Sequence, residues 1–192
     1  MNTIRSADFE PVHAVVSLLS DLAVPSWITG GWAIDLAVGH RTRDHTDIDI
    51  MMLERDEQAL RLLAGVDIQL IAGGGPAGPW PAGRRLTAGP PSGTKLPGAS
   101  RDRLILQGAD LPLPAEVILA SAVRGIQGYQ QGPRILTGQP LSDITRYRQG
   151  IPFVTPEVVL LMKARPGLDK PRTYSDQRDF EACAVPELIH RR

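Results

Sequence analysis

The chain has 192 residues, 42% hydrophobic and 22% charged, a mix typical of one folded domain, with or without a small appendage. Its 21 basic residues balance 21 acidic residues, which excludes a globally basic nucleic-acid binder and a polybasic membrane surface. Cys183 is the only cysteine, so an intrachain disulfide is excluded. The charged first nine residues do not resemble a signal peptide, and we expect a cytoplasmic protein that does not bind a membrane.

The first part of the chain predicts alternating helices and strands. Val12, Val15 and Leu19 recur at helical spacing and predict a helix over residues 6–22. The next predicted elements are an extended stretch at 26–29, a Gly30-Gly31 turn, a short helix at 32–38, a strand at 47–53, an amphipathic helix at 54–64 and a strand at 66–72.

The second part is less regular. Eight Gly and six Pro fall among the 27 residues 73–99, which predicts a long loop without regular elements. The remaining predictions are strands at 103–107 and 116–120, an irregular stretch, and helices at 156–165 and 174–183.

The chemistry-bearing residues concentrate between Gly30 and Asp49. Side chains two apart on a strand share a face, so Asp47 and Asp49 are expected to point the same way. Two neighbouring carboxylates repel each other unless a cation lies between them, and Mg²⁺ suits such oxygen ligands. The Gly30-Gly31 turn lets backbone N–H groups approach a phosphate at a helix N-terminus. An Asp-x-Asp edge strand or a Gly-Gly turn alone is usually structural, but the combination favours a phosphate–metal site.

These residues resemble a known family. Gly30-Gly31-Trp32-Ala33-Ile34-Asp35, Gly39, Thr42-Arg43, His45 and Asp47-Ile48-Asp49 are together similar to the DNA polymerase β-like nucleotidyltransferases, in the aminoglycoside and lincosamide branch. The close match covers about residues 27–53, and weaker similarity continues at 156–163 and from 176 to 186. The resemblance implies an α/β (α+β) fold with a small mixed sheet flanked by helices. We expect a nucleotidyltransferase domain at 1–150 and a C-terminal helical segment at 151–192.

The resemblance also implies an activity, in which Mg²⁺ assists transfer of a nucleoside monophosphate from a triphosphate such as ATP to a small-molecule hydroxyl. Asp47 and Asp49 would hold the metal, and Gly30 and Gly31 would cradle the phosphates. Arg43 and Lys163 are the expected cationic contacts to the triphosphate. The family's third carboxylate, which binds metal or takes the acceptor's proton, is assigned to Glu116 in preference to Asp110.

Several alternatives stay open. The acceptor is an aminoglycoside-like or lincosamide-like antibiotic, or a macromolecular hydroxyl, although no nucleic acid is expected; a degenerate nucleotide-binding module is a further alternative. The state is a monomer or a homodimer. Asp35 is expected to form a salt bridge with Arg41 or Arg43, or to contact the acceptor, and His45 to make a structural hydrogen bond or a phosphate contact. Relatives tend to have a Lys where this chain has Ser175, and Lys170 is a possible substitute.

Overall fold

A computed structural model describes residues 6–72, 75–86, 102–108, 110–120, 122–123, 126–131, 134–164 and 173–184. Lys170 therefore lies outside the described residues. The helices are α1 (Glu10–Ser20), α2 (Gly30–Val38), α3 (Pro156–Ala164) and α4 (Tyr174–Cys183), with 3₁₀ helices at Ser6–Phe9 and Glu54–Leu62. The strands are β1 (Ser26–Ile28), β2 (Ile48–Leu53), β3 (Val66–Ile71), β4 (Ala77–Pro79), β5 (Arg103–Gly108), β6 (Ala115–Ala120), β7 (Ala122–Val123), β8 (Ile126–Gln131), β9 (Arg134–Pro140), β10 (Thr145–Arg148) and β11 (Ile151–Val154).

Eight of these strands form one mixed sheet in the order β10-β11-β1-β2-β6-β5-β3-β4. The β1–β11 and β2–β6 pairs are parallel, and the other neighbours are antiparallel. Strands β7, β8 and β9 form a separate sheet. The mixed sheet packed with helices confirms the predicted fold class.

One face of β2 and β5 is buried in the hydrophobic core, and Met51 and Leu53 are buried on the opposite face of β2. Ile48, Ile50 and Met52 alternate along β2 and are fully buried, as are Leu104 and Leu106 on β5. Because successive side chains of a strand point to opposite faces, the residues between them lie on the other face. That second face carries Asp49 of β2, which is only partly buried. One face of β2 thus stabilises the fold while the other presents a carboxylate.

The amphipathic helix predicted over 54–64 is present, as a 3₁₀ helix at Glu54–Leu62. Its fully buried residues, Glu57 and Leu60, are three apart, and a 3₁₀ helix places residues three apart directly above one another. The buried Glu57 carboxylate accepts a hydrogen bond from the backbone N–H of Leu86, at 3.3 Å. This hydrogen bond joins the 3₁₀ helix to a segment 29 positions later in the chain.

The second part of the chain contains more strand than predicted. β10 and β11 form a hairpin inside the stretch expected to be irregular, and β11 pairs with β1 in parallel. Pro152 locally disfavours a strand, yet Ile151, Phe153 and Val154 on either side of it are buried. The 73–99 loop also contains the three-residue strand β4, paired with β3. Within the described part of the chain, no helix is both long and apolar enough to cross a membrane.

Candidate active site

Three carboxylates converge where β2 and β6 run side by side. Asp49 lies directly opposite Glu116 in the parallel β2–β6 register, and Asp47 is two residues before Asp49. One carboxylate oxygen from each of the three lies within 4.8 Å of the others, close enough to coordinate one metal ion. Asp110 is exposed and lies outside this cluster. The structure therefore brings together Asp47, Asp49 and Glu116, the residues selected from the sequence.

The electrostatics of this cluster fit a cation. Burial raises the pKa of Asp49 from 3.8 to about 6, and the charges of Asp47 and Glu116 act in the same direction. Lys163 and Arg43 oppose the shift without cancelling it. A hard divalent cation bound by carboxylate oxygens would neutralise the mutual repulsion. The donor set and its unfavourable charge thus suit Mg²⁺ or a similar ion.

The N-terminus of α2 lies directly against this cluster. A Cβ atom built on Gly30 would overlap the Oδ2 atom of Asp49, and Gly30 has a φ of +63°, which favours glycine. The N–H group of Thr29 donates to the carbonyl oxygen of Asp49 at 2.9 Å and ties the helix start to β2. A Cβ atom on Gly31 would overlap Nη2 of Arg43. Both glycines are therefore required by close contacts at the start of a helix, where backbone N–H groups are available to an anion.

Arg43 and Lys163 are held side by side by a buried carboxylate of α4. Asp179 is fully buried and accepts hydrogen bonds from Nε and Nη2 of Arg43, at 2.9 and 3.2 Å. The same carboxylate lies 2.9 Å from Nζ of Lys163, which also donates to Asp176 at 3.0 Å. Burial alone would lower the pKa of Arg43, but the ion pair with Asp179 outweighs it and raises the pKa. Both cations also act on the charge of Asp49, so they lie within electrostatic reach of the carboxylate cluster.

A second network lies beneath the site, and it corrects one expectation. The Asp35 carboxylate binds His45 at 2.6 Å, and it accepts from the backbone N–H and the hydroxyl of Thr42. The expected salt bridge to Arg41 or Arg43 is wrong, because Arg41 pairs with Asp44 and Arg43 with Asp179. Asp35 is fully buried, which favours the nearby His45 and Thr42 over the two arginines.

His45 connects this network to the loop before β2, which contains Asp47. Its ring stacks on Trp32 with a centroid separation of 4.3 Å, and Trp32 Nε1 donates to the carbonyl oxygen of Asp47 at 3.0 Å. His45 therefore makes a structural hydrogen bond, which is one of the two roles considered for it. Trp32 is buried in the core.

Comparison with known proteins shows that the N-terminal part of the chain is similar to aminoglycoside nucleotidyltransferases. The family model of the aminoglycoside-2''-adenylyltransferases matches residues 11–69. The 2''-aminoglycoside nucleotidyltransferases of Escherichia coli and Klebsiella pneumoniae are each 44% identical to the chain over 39 residues. That match spans 20% of this chain and 22% of each relative.

Solved structures extend the likeness over the whole fold. A lincosamide antibiotic adenylyltransferase, LnuA with lincomycin bound, superposes with a TM-score of 0.56 at 17% identity, covering 94% of this chain and 97% of LnuA. ANT(2'')-Ia in complex with adenylyl-2''-tobramycin gives a TM-score of 0.50 at 15% identity, covering 96% of this chain and 94% of that protein. The chain has the nucleotidyltransferase fold. The resemblance to the antibiotic nucleotidyltransferases is thereby confirmed.

The sequence did not indicate two residues of this candidate site. Asp179 lies 136 positions after Arg43, so only the packing of α4 against α2 reveals their pairing. Its spacing of three from Asp176 on one helix was the available signal, because residues three apart share a face. Arg103, at the start of β5, donates to both carboxylate oxygens of Glu116, at 2.8 and 3.0 Å. A basic residue on a strand beside a candidate catalytic acid was the corresponding signal.

Two further side chains, Trp80 and Cys183, lie outside the candidate site. Trp80 is buried and packs under the guanidinium of Arg61, with 3.6 Å from the Arg61 Cζ atom to the ring centroid. It therefore anchors the described part of the 73–99 loop. Burial raises the pKa of the Cys183 thiol to about 11, so this cysteine is protonated at neutral pH.

Proposed function

We propose that the chain transfers a nucleoside monophosphate, from ATP in the first instance, to a hydroxyl group of a small antibiotic-like molecule with the help of Mg²⁺. The observation that carries this proposal is the cluster of Asp47, Asp49 and Glu116 beside the N-terminus of α2. The similarity of residues 11–69 to the aminoglycoside-2''-adenylyltransferases supports the same chemistry. The antibiotics named with the structural neighbours, lincomycin and tobramycin, support a small-molecule acceptor.

Each group has a distinct task. Asp47 and Asp49 hold the metal, which when bound neutralises charge on the triphosphate. The backbone N–H groups at Gly30 and Gly31 donate to the terminal phosphates, and Arg43 and Lys163 donate to the same triphosphate. Because Asp179 fixes both cations before a ligand arrives, they need little reorganisation on binding.

The reaction is an in-line displacement at the α-phosphorus. The acceptor oxygen forms a bond to phosphorus while the bond to the bridging oxygen breaks, and pyrophosphate leaves. The hydroxyl proton passes to Glu116, which lies opposite Asp49 on the neighbouring strand. Most of the acceleration comes from positioning and charge neutralisation, so Glu116 needs only a moderate basicity.

Pyrophosphate release tests the proposal. Purified protein is incubated with Mg²⁺ and ATP or GTP, with and without a panel of aminoglycosides and lincosamides. We expect acceptor-dependent release that the Asp47→Asn/Asp49→Asn variant loses. Asp44→Asn is the matched control, because its exposed carboxylate lies outside the cluster. Triphosphate binding without release for any acceptor would favour the degenerate nucleotide-binding module instead.

A further inference from the structure

Arg103 borders the carboxylate cluster on one side. Its Nη1 atom donates to both oxygens of Glu116, and 41% of its side chain is exposed compared with 18% for Glu116. The pair is therefore partly open to solvent and accessible to a ligand that approaches Glu116. An ion pair in this position changes the charge that such a ligand meets.

The strand register places Arg103 on the same face of the sheet as the reacting groups. Glu116 lies between Asp49 of β2 and Ile105 of β5, and Arg103 is two residues from Ile105. Residues two apart share a face, so these four side chains line one surface. Leu104 and Leu106 point the other way and are fully buried in the core.

The sheet order separates the triphosphate side from the Arg103 side. Gly30 follows β1, and the central strands run in the order β1, β2, β6, β5. The protein groups proposed to contact the triphosphate therefore lie on the β1 side of the carboxylates, and Arg103 lies on the β5 side. An in-line displacement requires the acceptor to approach opposite the leaving pyrophosphate. The acceptor hydroxyl accordingly arrives on the β5 side, where Arg103 lies.

We propose that Arg103 determines acceptor specificity by disfavouring polycationic acceptors and selecting hydroxyls on molecules that carry little positive charge. This inference rests on the proposed function. Arg103 supplies the positive partner that an acceptor's ammonium group would otherwise find in Glu116, and it repels further ammonium groups at close range. Lincomycin, with a single basic amine, fits this site better than tobramycin, which carries several.

Equilibrium binding tests this inference independently of turnover. The dissociation constants of tobramycin and lincomycin are measured by calorimetry for the wild type, Arg103→Gln and Arg146→Gln. Each titration is carried out with Mg²⁺ and ATP and again without them. Arg146 is the matched control, an exposed arginine that donates to backbone carbonyl oxygens. It lies on β10, and four strands separate β10 from β5. We expect Arg103→Gln to bind tobramycin about tenfold more tightly and to change lincomycin by less than about threefold. High salt should reduce the tobramycin gain.

The possible outcomes separate the two proposals. The role of Arg103 would be overturned if Arg103→Gln changed the affinity for both ligands equally. It would also be overturned if Arg146→Gln increased the tobramycin affinity as much, or if the wild type bound neither ligand. Tighter wild-type binding of tobramycin than of lincomycin would overturn it as well. Pyrophosphate release is followed in parallel on the same samples. If Arg103→Gln changes binding as expected but the wild type releases no pyrophosphate, the specificity role stands and the transfer reaction fails.

Discussion

Contacts with individual atoms limit which residues can occupy two positions of the candidate site. Gly30 has no space for a side chain because Asp49 Oδ2 occupies that volume, and Gly31 is limited in the same way by Arg43. The Asp-x-Asp spacing likewise follows from the pleat, since only one face of β2 is available to carboxylates. The Gly-Gly and Asp-x-Asp motifs therefore contact each other directly, through Gly30 and Asp49. This contact explains why the two motifs together indicate a site more strongly than either motif alone.

Gly30→Ala should abolish metal-dependent nucleotide binding, because its Cβ atom would displace the Asp49 carboxylate. Gly65→Ala is the matched control, since Gly65 has a similar φ of +71° and nothing within 4 Å of the added atom. Both variants carry the strain of a left-handed alanine, about 1 kcal/mol. Calorimetry with Mg²⁺ and ATP should therefore separate them, and equal loss in both would contradict the contact-based explanation.

Asp49→Asn should stabilise the metal-free protein at pH 7. The folded pKa of Asp49, about 6, exceeds its usual 3.8, so the folded state binds this proton more tightly and loses stability as pH rises from about 4 to 6. Removing the charge should raise the free energy of unfolding by about 1 to 3 kcal/mol at pH 7 and by little near pH 4. Urea unfolding with a chelator measures both values. A variant less stable than the wild type at pH 7 would count against this explanation.

At the scale of elements, α4 is joined to the site by charge. Thr173 and Asp176 form a capping box at its N-terminus, and Asp176 also accepts from Lys163 of α3. One turn further, Asp179 binds Lys163 and Arg43 together. The C-terminal helices are therefore attached to the loop before β2 through buried ion pairs that also orient the expected phosphate-binding cations.

Asp179→Asn should destabilise the fold and weaken the site together. Removing the charge leaves two partly buried cations with less compensation, at a cost of about 2 to 4 kcal/mol. Urea unfolding measures the change. Glu181→Gln on the same helix removes an exposed charge and should cost less than about 0.5 kcal/mol. Similar losses in the two variants would show that the ion-pair network contributes little.

Elements with a strong local pattern were predictable, and those defined by pairing were not. α1, α2, β2 and α4 follow from apolar spacing and glycine positions near the predicted bounds. β11 has only four residues and contains Pro152, and it is a strand because β1 and β10 pair with it on both sides. The 3₁₀ helix at Glu54–Leu62 was predictable as a helix, but the hydrogen bond between its Glu57 and the backbone of Leu86 was not, because 29 positions separate them.

For the whole molecule, we expect ligand binding at the candidate site to increase stability. Its groups come from β1–α2, the loop before β2, β6, α3 and α4, so a ligand that binds them all opposes unfolding of each. Mg²⁺ with ATP at about 100 times its dissociation constant should raise the Tm by about 5 to 10 °C. A chelator should remove most of this shift, as should the Asp47→Asn/Asp49→Asn variant. Thermal unfolding checks this, and a shift that survives both changes would place the nucleotide elsewhere.

The sequence by itself determined which types of side chain form the candidate site and how the central ones are spaced. Two carboxylates on one strand face, a glycine turn opening a helix and a nearby arginine are local patterns, because they depend on the pleat and the helix start. Only the tertiary structure decided the partners: Asp179 for Arg43 and Lys163, Arg103 for Glu116, and His45 for Asp35. Such partners are chosen by the burial of charge, and burial depends on how distant elements pack rather than on neighbouring residues.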